Sequence, residues 1–359
     1  MRMYRCRLKV LTPMVIGEVR SARGYYTAYE AIPGHTIGGA VNRALFGKSY
    51  PPQGNAAKMF IASTAYPVFD NRESFPAHPF YYECKVCDNL IFSTLEKESL
   101  LQAIKGGLKD VKDKLVALEC DRHHPLKSLH PRPLVHDSAF IKKDRLSVQP
   151  FISVGMNRHT ASSQYGLLYE YTAIEPGQEY WFTLASTGNI DISEEFEVRI
   201  GRGSSRGLGR GLVKVVRKDE GFSFTQHSAS EITLYALSPV PLRFLSKPIN
   251  LKECAARYGL SGVDGSLEIL VVEDQLMVFG KVKTMSAGWS FGSPISRNRI
   301  TCVSAGSVLV CRWREKSSDP LRSMEALRYF GMPLVLDSDP VDGFCMLHTF
   351  DGEPIREVR

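Results

Sequence analysis

The sequence predicts an α+β protein with room for two domains, on three observations. Its 359 residues are 43% hydrophobic and 23% charged, a globular composition long enough to bury more than one ordinary core. Short β-branched and aromatic runs recur from end to end, with a few helical periodicities between them. One run rich in glycine and arginine, Arg199 to Lys218, opens directly into such a β-branched run.

That run reads RIGRGSSRGLGRGLVKVVRK: five glycines (Gly201, Gly203, Gly207, Gly209, Gly211), seven Lys/Arg and no acid in twenty residues. Glycine permits positive φ and close approach of backbone N–H groups to a ligand, and Arg202, Arg206 and Arg210 add forked donors suited to phosphate oxygens. Leu212 to Val216 then reads as a strand, so a basic loop is held at a sheet edge. A Walker A loop would need Gly-Lys-Ser/Thr leading into a helix, and a dinucleotide fingerprint also needs a following helix, so both are excluded. A hairpin tip with solvated arginines is the plainer alternative, but this density of cations exceeds what solubility requires. The expected ligand is a sugar-phosphate chain, contacted by Gly201, Arg202, Gly203, Ser204, Ser205, Arg206, Gly207, Gly209 and Arg210.

A net charge of +7 and a pI near 8.9 agree with an anionic partner. No window reaches the roughly 18 apolar residues of a membrane span, and MRMYRCRLKV at the N-terminus has no apolar core, so a cytoplasmic protein with no membrane partner is expected. Eight scattered cysteines in a chain of this length do not make a disulfide scaffold, which also suits a reducing compartment.

In order along the chain, Arg5 to Val10 alternates polar and apolar residues and predicts a half-buried first strand with a basic face. A connection carrying Arg20, Arg23 and three tyrosines leads to Pro33-Gly34, a turn, and then to a helix whose start is rich in glycine (Gly34, Gly38, Gly39) and which carries Arg43. Its N-terminal amides and dipole could receive an anion, with Gly34, His35, Gly38 and Arg43 as candidate contacts. His35 could serve as a general base for attack of a 2′-OH on a phosphodiester, or simply cap the helix or touch phosphate. Residues 50 to 76 read as loop.

An insertion at about 76–140 follows. Cys84-Lys85-Val86-Cys87 is a C-x-x-C knuckle, and beyond a helical stretch around Leu95 to Leu118 comes Cys120-Asp121-Arg122-His123-His124. The second group has C-x-x-H spacing, which gives a candidate structural zinc site of Cys84, Cys87, Cys120 and His123, with His124 as the alternative fourth ligand because spacing cannot rank adjacent histidines. His130 and His136 sit in a proline-rich exit and read as surface residues.

Arg145 to Val154 reads as a return to the main fold, and a polar loop with Arg158 and His159 follows. Leu167 to Ile174 and Tyr180 to Leu184 read as strands around a Glu175-Pro176-Gly177 turn, and Ile192 to Glu197 as a short helix. In the second half, Thr233 to Pro239 and Ala305 to Trp313 read as strands, Leu267 to Val278 is strongly apolar, and Leu251 to Tyr258 and Leu321 to Tyr329 read as helices.

Ile32-Pro33-Gly34 before a glycine-rich helix start, the pair Gly166 to Tyr171 and Gly177 to Phe182, and Ile200 to Arg210 before a strand together resemble the RAMP superfamily of CRISPR-associated RNA-binding proteins. The last match is the most specific, since the family's glycine-rich loop lies just before the final strand of its domain. The resemblance implies tandem ferredoxin-like (RRM-like) domains: 1–230, bearing the loop and the zinc-binding insertion, and 231–359, a diverged copy. The copy's counterpart loop, Gly331 to Gly343, is degenerate and acidic. The arrangement is most similar to Cas-five-like subunits of type III complexes, the Csx-ten type of subtype III-D. It implies a noncatalytic subunit in antiviral defence that holds the crRNA 5′ handle and caps the backbone filament. Its implied partners are crRNA, a Cas-ten-like large subunit, Cas-seven-like backbone subunits and, indirectly, target RNA. The handle would meet the Gly201–Gly211 loop, the Gly34–Gly39 helix start and Arg158 with His159.

Two other functions compete. One is a metal-independent endoribonuclease processing precursor crRNA, with His35 as base. The other is a backbone subunit cutting target RNA through an acidic loop residue such as Asp191 or Asp219, although scattered carboxylates are usually solvated surface.

Overall fold

The first strand, β1 (Arg2–Val10), shows why period-2 alternation was readable. Tyr4, Cys6, Leu8 and Val10 are buried on one face, and Arg5, Arg7 and Lys9 point to the other. The structure, a computed structural model, describes residues 2–47, 60–87, 91–93, 99–111, 119–136, 141–142, 146–219, 231–250, 265–286, 299–315, 334–341 and 347–349, with 21–23, 28–29, 108, 110, 121, 158, 161, 187–190, 243–244, 246–247 and 337–338 left outside. Among the described residues no helix is long and apolar enough to cross a membrane.

After β1 come the short strands β2 (Gly17–Arg20) and β3 (Gly24–Thr27), then α1 (Gly34–Phe46). Pro33 precedes α1 with extended backbone, as its fixed φ favours, and Ile37, Ala40 and Val41 turn inward onto the buried face of β1. Asn42 is buried on the same side. Its Nδ2 donates to the carbonyls of Gly38 (2.8 Å) and Phe60 (2.6 Å), and its Oδ1 accepts from the Phe60 amide at 2.8 Å, which ties α1 to β4 (Phe60–Ala62).

The expectation of a loop through 50–76 is corrected over its described part. Residues 60–76 form β4, β5 (Tyr66–Phe69) and β6 (Arg72–Pro76), and 50–59 lie outside the described residues. The polar composition concealed a hairpin whose two turn residues, Asp70 (φ 48°) and Asn71 (φ 64°), take the left-handed conformation that tight hairpins require.

The insertion contains β7 (Tyr81–Cys84), β8 (Ile91–Ser93), α2 (Ser99–Lys105) and β9 (Leu126–Ser128), with β7 between β8 and β9. Helix α2 covers part of the expected helical stretch and stops at Gly106-Gly107, where Gly107 has φ +94°. Strands β10 (Pro133–His136) and β11 (Ile141–Lys142) return to the main sheet. Next come β12 (Val148–Met156), β13 (Ser163–Ile174), β14 (Glu179–Ser186), β15 (Glu195–Arg199) and β16 (Arg210–Asp219). The short helix expected at Ile192–Glu197 is not formed. Glu195 and Glu197 alternate with Phe196 and the buried Val198, and pairing with β16 satisfies the backbone, so tertiary pairing overrides local helical spacing.

The main sheet runs β11-β10-β6-β5-β14-β1-β16-β15, with β4 also beside β14, and a second sheet runs β12-β13-β3-β2. In the main sheet β14 lies antiparallel between β1 and β5, so β1 and β5 run parallel, with α1 in the connection between them. This is a split βαβ unit, flanked on the other side of β1 by antiparallel β16. The later half repeats the order: Leu347–Thr349, β17 (Glu231–Ala236), Val308–Glu315, Gly265–Ile269, all antiparallel neighbours. The helices expected at 251–258 and 321–329 lie outside the described residues, as does most of the 331–343 loop.

One apolar cluster fills the space between α1 and the β1 face of the main sheet, and a second lies on the opposite face. The second joins Tyr66 and Trp181 of the main sheet, Leu100, Ala103 and Ile104 of the insertion helix, and Tyr235, Leu237, Val308 and Val310 of the later half. Burying each large side chain of this kind contributes about 1.5–3 kcal/mol. Polar groups at the junction are matched: Tyr66 donates its hydroxyl to the Leu237 carbonyl at 2.6 Å, and Thr64 bonds Ser238 at 3.2 Å.

His130 belongs to this junction, which corrects the expectation of a surface residue. It is 2% exposed; Nδ1–H donates to the Ala77 carbonyl at 2.7 Å, and Nε2 accepts from the Ser304 hydroxyl at 2.8 Å. Lys281 adds a bond from Nζ to the His130 carbonyl at 2.8 Å. Burial, then the charges of Lys281 and Lys283, depress the His130 pKa to about 4, and burial with the charge of His130 takes the nearby His78 to about 3. Both are neutral when folded and would take up protons near pH 6.5 when unfolded. Their contribution is therefore complete above pH 6.5 and is lost as pH falls toward 4. Unfolding free energy should drop by about 2 kcal/mol per histidine between pH 6.5 and 5. Urea titrations across that range measure the drop, and His130→Gln should lower stability at pH 7.5 yet flatten the pH dependence.

Candidate nucleic-acid interface and metal-ligand cluster

The glycine-rich run is the connection between β15 and β16, whose last and first residues, Arg199 and Arg210, face each other in register. Gly201, Gly203, Gly207 and Gly209 all have φ between 76° and 84°, the left-handed region that disfavours other residues. Two of them serve close backbone approach. A Cβ on Gly201 would lie 2.1 Å from the Val15 carbonyl oxygen, and one on Gly209 would lie 2.1 Å from that of Ile200. The amides of Arg202 and Gly209 donate to Val15 and Pro13 at 2.9 Å each, so the loop is seated on the segment that follows β1.

The seat alters the expected division of labour. The amides of Arg202, Arg206, Gly207, Leu208 and Gly209 are engaged by the protein, whereas those of Gly203, Ser204 and Ser205 meet no protein acceptor among the described residues. Gly203 is left-handed and opens a single 3-10 turn, Ser204–Arg206, whose residues are all exposed. Successive amides after a left-handed residue form a concavity suited to an anion. Arg202 is exposed beside it. Arg210 instead grips both oxygens of Glu197, at 2.9 and 3.1 Å.

The second sheet stands against this loop. Val15, Tyr171 and Ala173 form a small buried cluster with Phe151 and Leu208 packed on it. The Arg206 guanidinium lies over the Tyr171 ring, 5.9 Å from its centroid, and Phe151 lies parallel to the same ring at 5.5 Å and 7°. Phe151 and Tyr171 went unnoticed in the sequence, where each is simply an aromatic residue in a strand; only the β12–β13 register brings them together.

The other predicted contacts are distributed. The α1 start shares an apolar cluster with the base of the loop, to which Ile37, Val198 and Ile200 all belong. No acidic residue occupies the first turn of α1, but Gly34 and Gly38 are buried, and Gly38 packs its Cα toward β4. His35 is half-buried in that turn. Arg43 lies about 14 Å further along the helix and donates to the Gly47 carbonyl at 3.1 Å. His159 sits at an exposed hairpin tip capped by Asn157, roughly 26 Å along β13 from Tyr171, so it is not brought to the loop. Arg20 is in β2 with no side chain described, and Arg23 and Arg158 lie outside the described residues.

A second constellation closes the insertion. Cys84, Cys87, Cys120 and His124 present one ligand atom each, all within 4.8 Å of one another. The Cys84 and Cys120 sulfurs are 3.8 Å apart, and His124 Nδ1 is 3.2 Å from Cys87 Sγ and 3.8 Å from Cys84 Sγ. A tetrahedron with metal–sulfur bonds of about 2.3 Å has sulfur–sulfur edges of about 3.8 Å, so the donor set fits one zinc-sized ion. Of the two adjacent histidines that spacing could not rank, His124 is the one whose ring faces the three sulfurs. Cys120 N donates to the His124 carbonyl at 3.0 Å in a tight turn where His123 has φ 57°, and His123 points out to Glu119 at 3.0 Å. Burial opposes ionisation of the Cys84 thiol, but amide bonds from Cys87 and Val86 outweigh it and bring its pKa to about 6. Such a thiol is a ready metal ligand near neutrality.

No protein-family model matches the chain, and no curated protein matches it. Among solved structures it is similar to a chain of the type III-B Cmr-beta complex bound to cognate target RNA and AMPPnP, at 14% identity and a TM-score of 0.47, over 85% of this chain and 86% of that one. A chain of the same complex bound to cognate target RNA gives 15% identity and 0.44, again over 85% and 86%. The crystal structure of Cmr4 gives 11% identity and 0.22, over 59% of this chain and 98% of that one.

Proposed function

We propose that this chain is a noncatalytic RNA-binding subunit of a type III CRISPR effector complex, a RAMP protein of the Cas-five-like, Csx-ten type that holds the crRNA 5′ handle. The observation that carries the reading is the loop between β15 and β16. Four left-handed glycines shape it and the Arg202 and Gly209 amides seat it on Val15 and Pro13, while Arg202, Ser204, Ser205 and Arg206 are exposed at the sheet edge. Phosphates are its natural ligand, because exposed guanidinium groups and unengaged amides offer donors and no competing acid lies within the loop.

Tandem ferredoxin-like domains are supported by strand order. The series β16-β1-β14-β5 and the series Leu347–Thr349, β17, Val308–Glu315, Gly265–Ile269 follow the same antiparallel plan. In this reading the subunit caps the backbone filament beside the large subunit, and target RNA reaches it only through the crRNA. The test is incubation with repeat-derived RNA: the protein should retain the strand intact. Specific cleavage that disappears in His35→Ala would overturn the noncatalytic reading.

Zinc at Cys84, Cys87, Cys120 and His124 would stabilise an insertion whose own apolar cluster is small. Elemental analysis should find one zinc per chain. Cys120→Ser and His124→Ala should lose the metal and melt lower, while His123→Ala should keep both metal and stability.

A further inference from the structure

We infer that Arg206 is a stacking plate for an unpaired nucleobase, preset by Tyr171 and Phe151, rather than a phosphate clamp. The inference rests on the RNA-binding reading and assigns a different ligand group to one residue of the loop. A guanidinium that only neutralised phosphate would need reach and freedom. Arg206 instead sits in a short turn closed by bonds from its own amide to the Gly203 carbonyl (2.8 Å) and from the Gly207 amide to the Ser204 carbonyl (3.3 Å). Its planar head lies over Tyr171, 5.9 Å from the ring centroid and within the range of cation–π attraction.

Tyr171 is itself fixed. It is 9% exposed, its ring lies parallel to Phe151 at 5.5 Å, and its hydroxyl accepts from Ser153 at 3.4 Å. The pair therefore forms a rigid base, and Arg206, being exposed, extends it toward solvent. A delocalised, weakly hydrated guanidinium positioned over an aromatic ring offers a surface on which nucleobases stack in single-stranded RNA recognition. The amides of Gly203, Ser204 and Ser205 lie in the same turn, so a phosphate held there would have its base beside the Arg206 plane.

The experiment compares a labelled single-stranded RNA of mixed sequence with a strand of abasic ribose-phosphates of equal length, using the full chain. Stacking of one base is worth about 5- to 150-fold in affinity, and the wild-type protein should prefer the base-bearing strand by a factor in that range. Arg206→Lys keeps the charge and removes the plane, so it should abolish most of this preference while leaving abasic binding and its salt dependence unchanged. Tyr171→Leu should do the same if it folds, and the lysine variant decides the matter if it does not. No wild-type preference, or a preference intact in Arg206→Lys, overturns the stacking role. In either case, loss of abasic-strand binding in Arg202→Ala/Arg206→Ala/Arg210→Ala would leave the RNA-binding reading standing, whereas unchanged binding of both strands in that variant would remove the reading itself.

Discussion

Alanine at Arg202, Arg206 and Arg210 together should weaken binding of single-stranded RNA by more than about tenfold at physiological salt and flatten the slope of log K against log salt by about 0.7 units or more. The slope follows from counterion release, at about 0.7 per phosphate contact on a single strand, and at least one such contact is expected from the loop. The structure divides the effect unequally. Arg210 is held by both oxygens of Glu197, so its single replacement should change affinity least. Arg206 is exposed and should carry more of the loss. Filter binding or anisotropy at several salt concentrations reads both quantities, and an unchanged slope in the triple variant is the outcome that removes the loop from the interface.

A methyl group at Gly201 or Gly209 should be more damaging to the fold than the loss of any of those arginines. Each position combines left-handed backbone with a would-be Cβ 2.1 Å from a carbonyl oxygen, so relief requires the loop to lift from Val15 in the first case and its neck to open between Ile200 and Gly209 in the second. The expected cost is about 3 kcal/mol or more for Gly201→Ala and Gly209→Ala. Gly207 has a similar φ of +82° but open space around it, and Gly207→Ala should cost only about 1–2 kcal/mol. Urea denaturation ranks the three. RNA affinity should fall in the first two variants although no ligand-facing group has been removed. A Gly209→Ala protein as stable as wild type would mean the loop is not anchored in this way.

These expectations show where local reading reached its limit. Alternation in Arg5–Val10, the helix after Pro33 and the β-branched run after Arg210 each correspond to an element found in the structure. Each is a short-range pattern in which neighbouring residues decide the conformation. The segment at Ile192–Glu197 misled because its spacing suits a helix in isolation, while β16 offers it a partner strand. The hairpin at 66–76 was hidden by polar residues whose left-handed turn at Asp70 and Asn71 is not a glycine signature.

The sequence by itself determined the chemistry available: a loop of glycines and arginines free of acids, three cysteines and two histidines at metal-ligand spacing, and a chain long enough for two cores. Tertiary structure alone decided which groups do the work. It turned His124 rather than His123 toward the sulfurs, buried His130 between the insertion and the later half, engaged Arg210 with Glu197, and set Arg206 over Tyr171. The physical reason is range. Spacing and propensity act over a few residues, whereas desolvation, ion pairing and ring contacts depend on partners that only strand register and sheet packing, often across more than a hundred residues of chain, bring within reach.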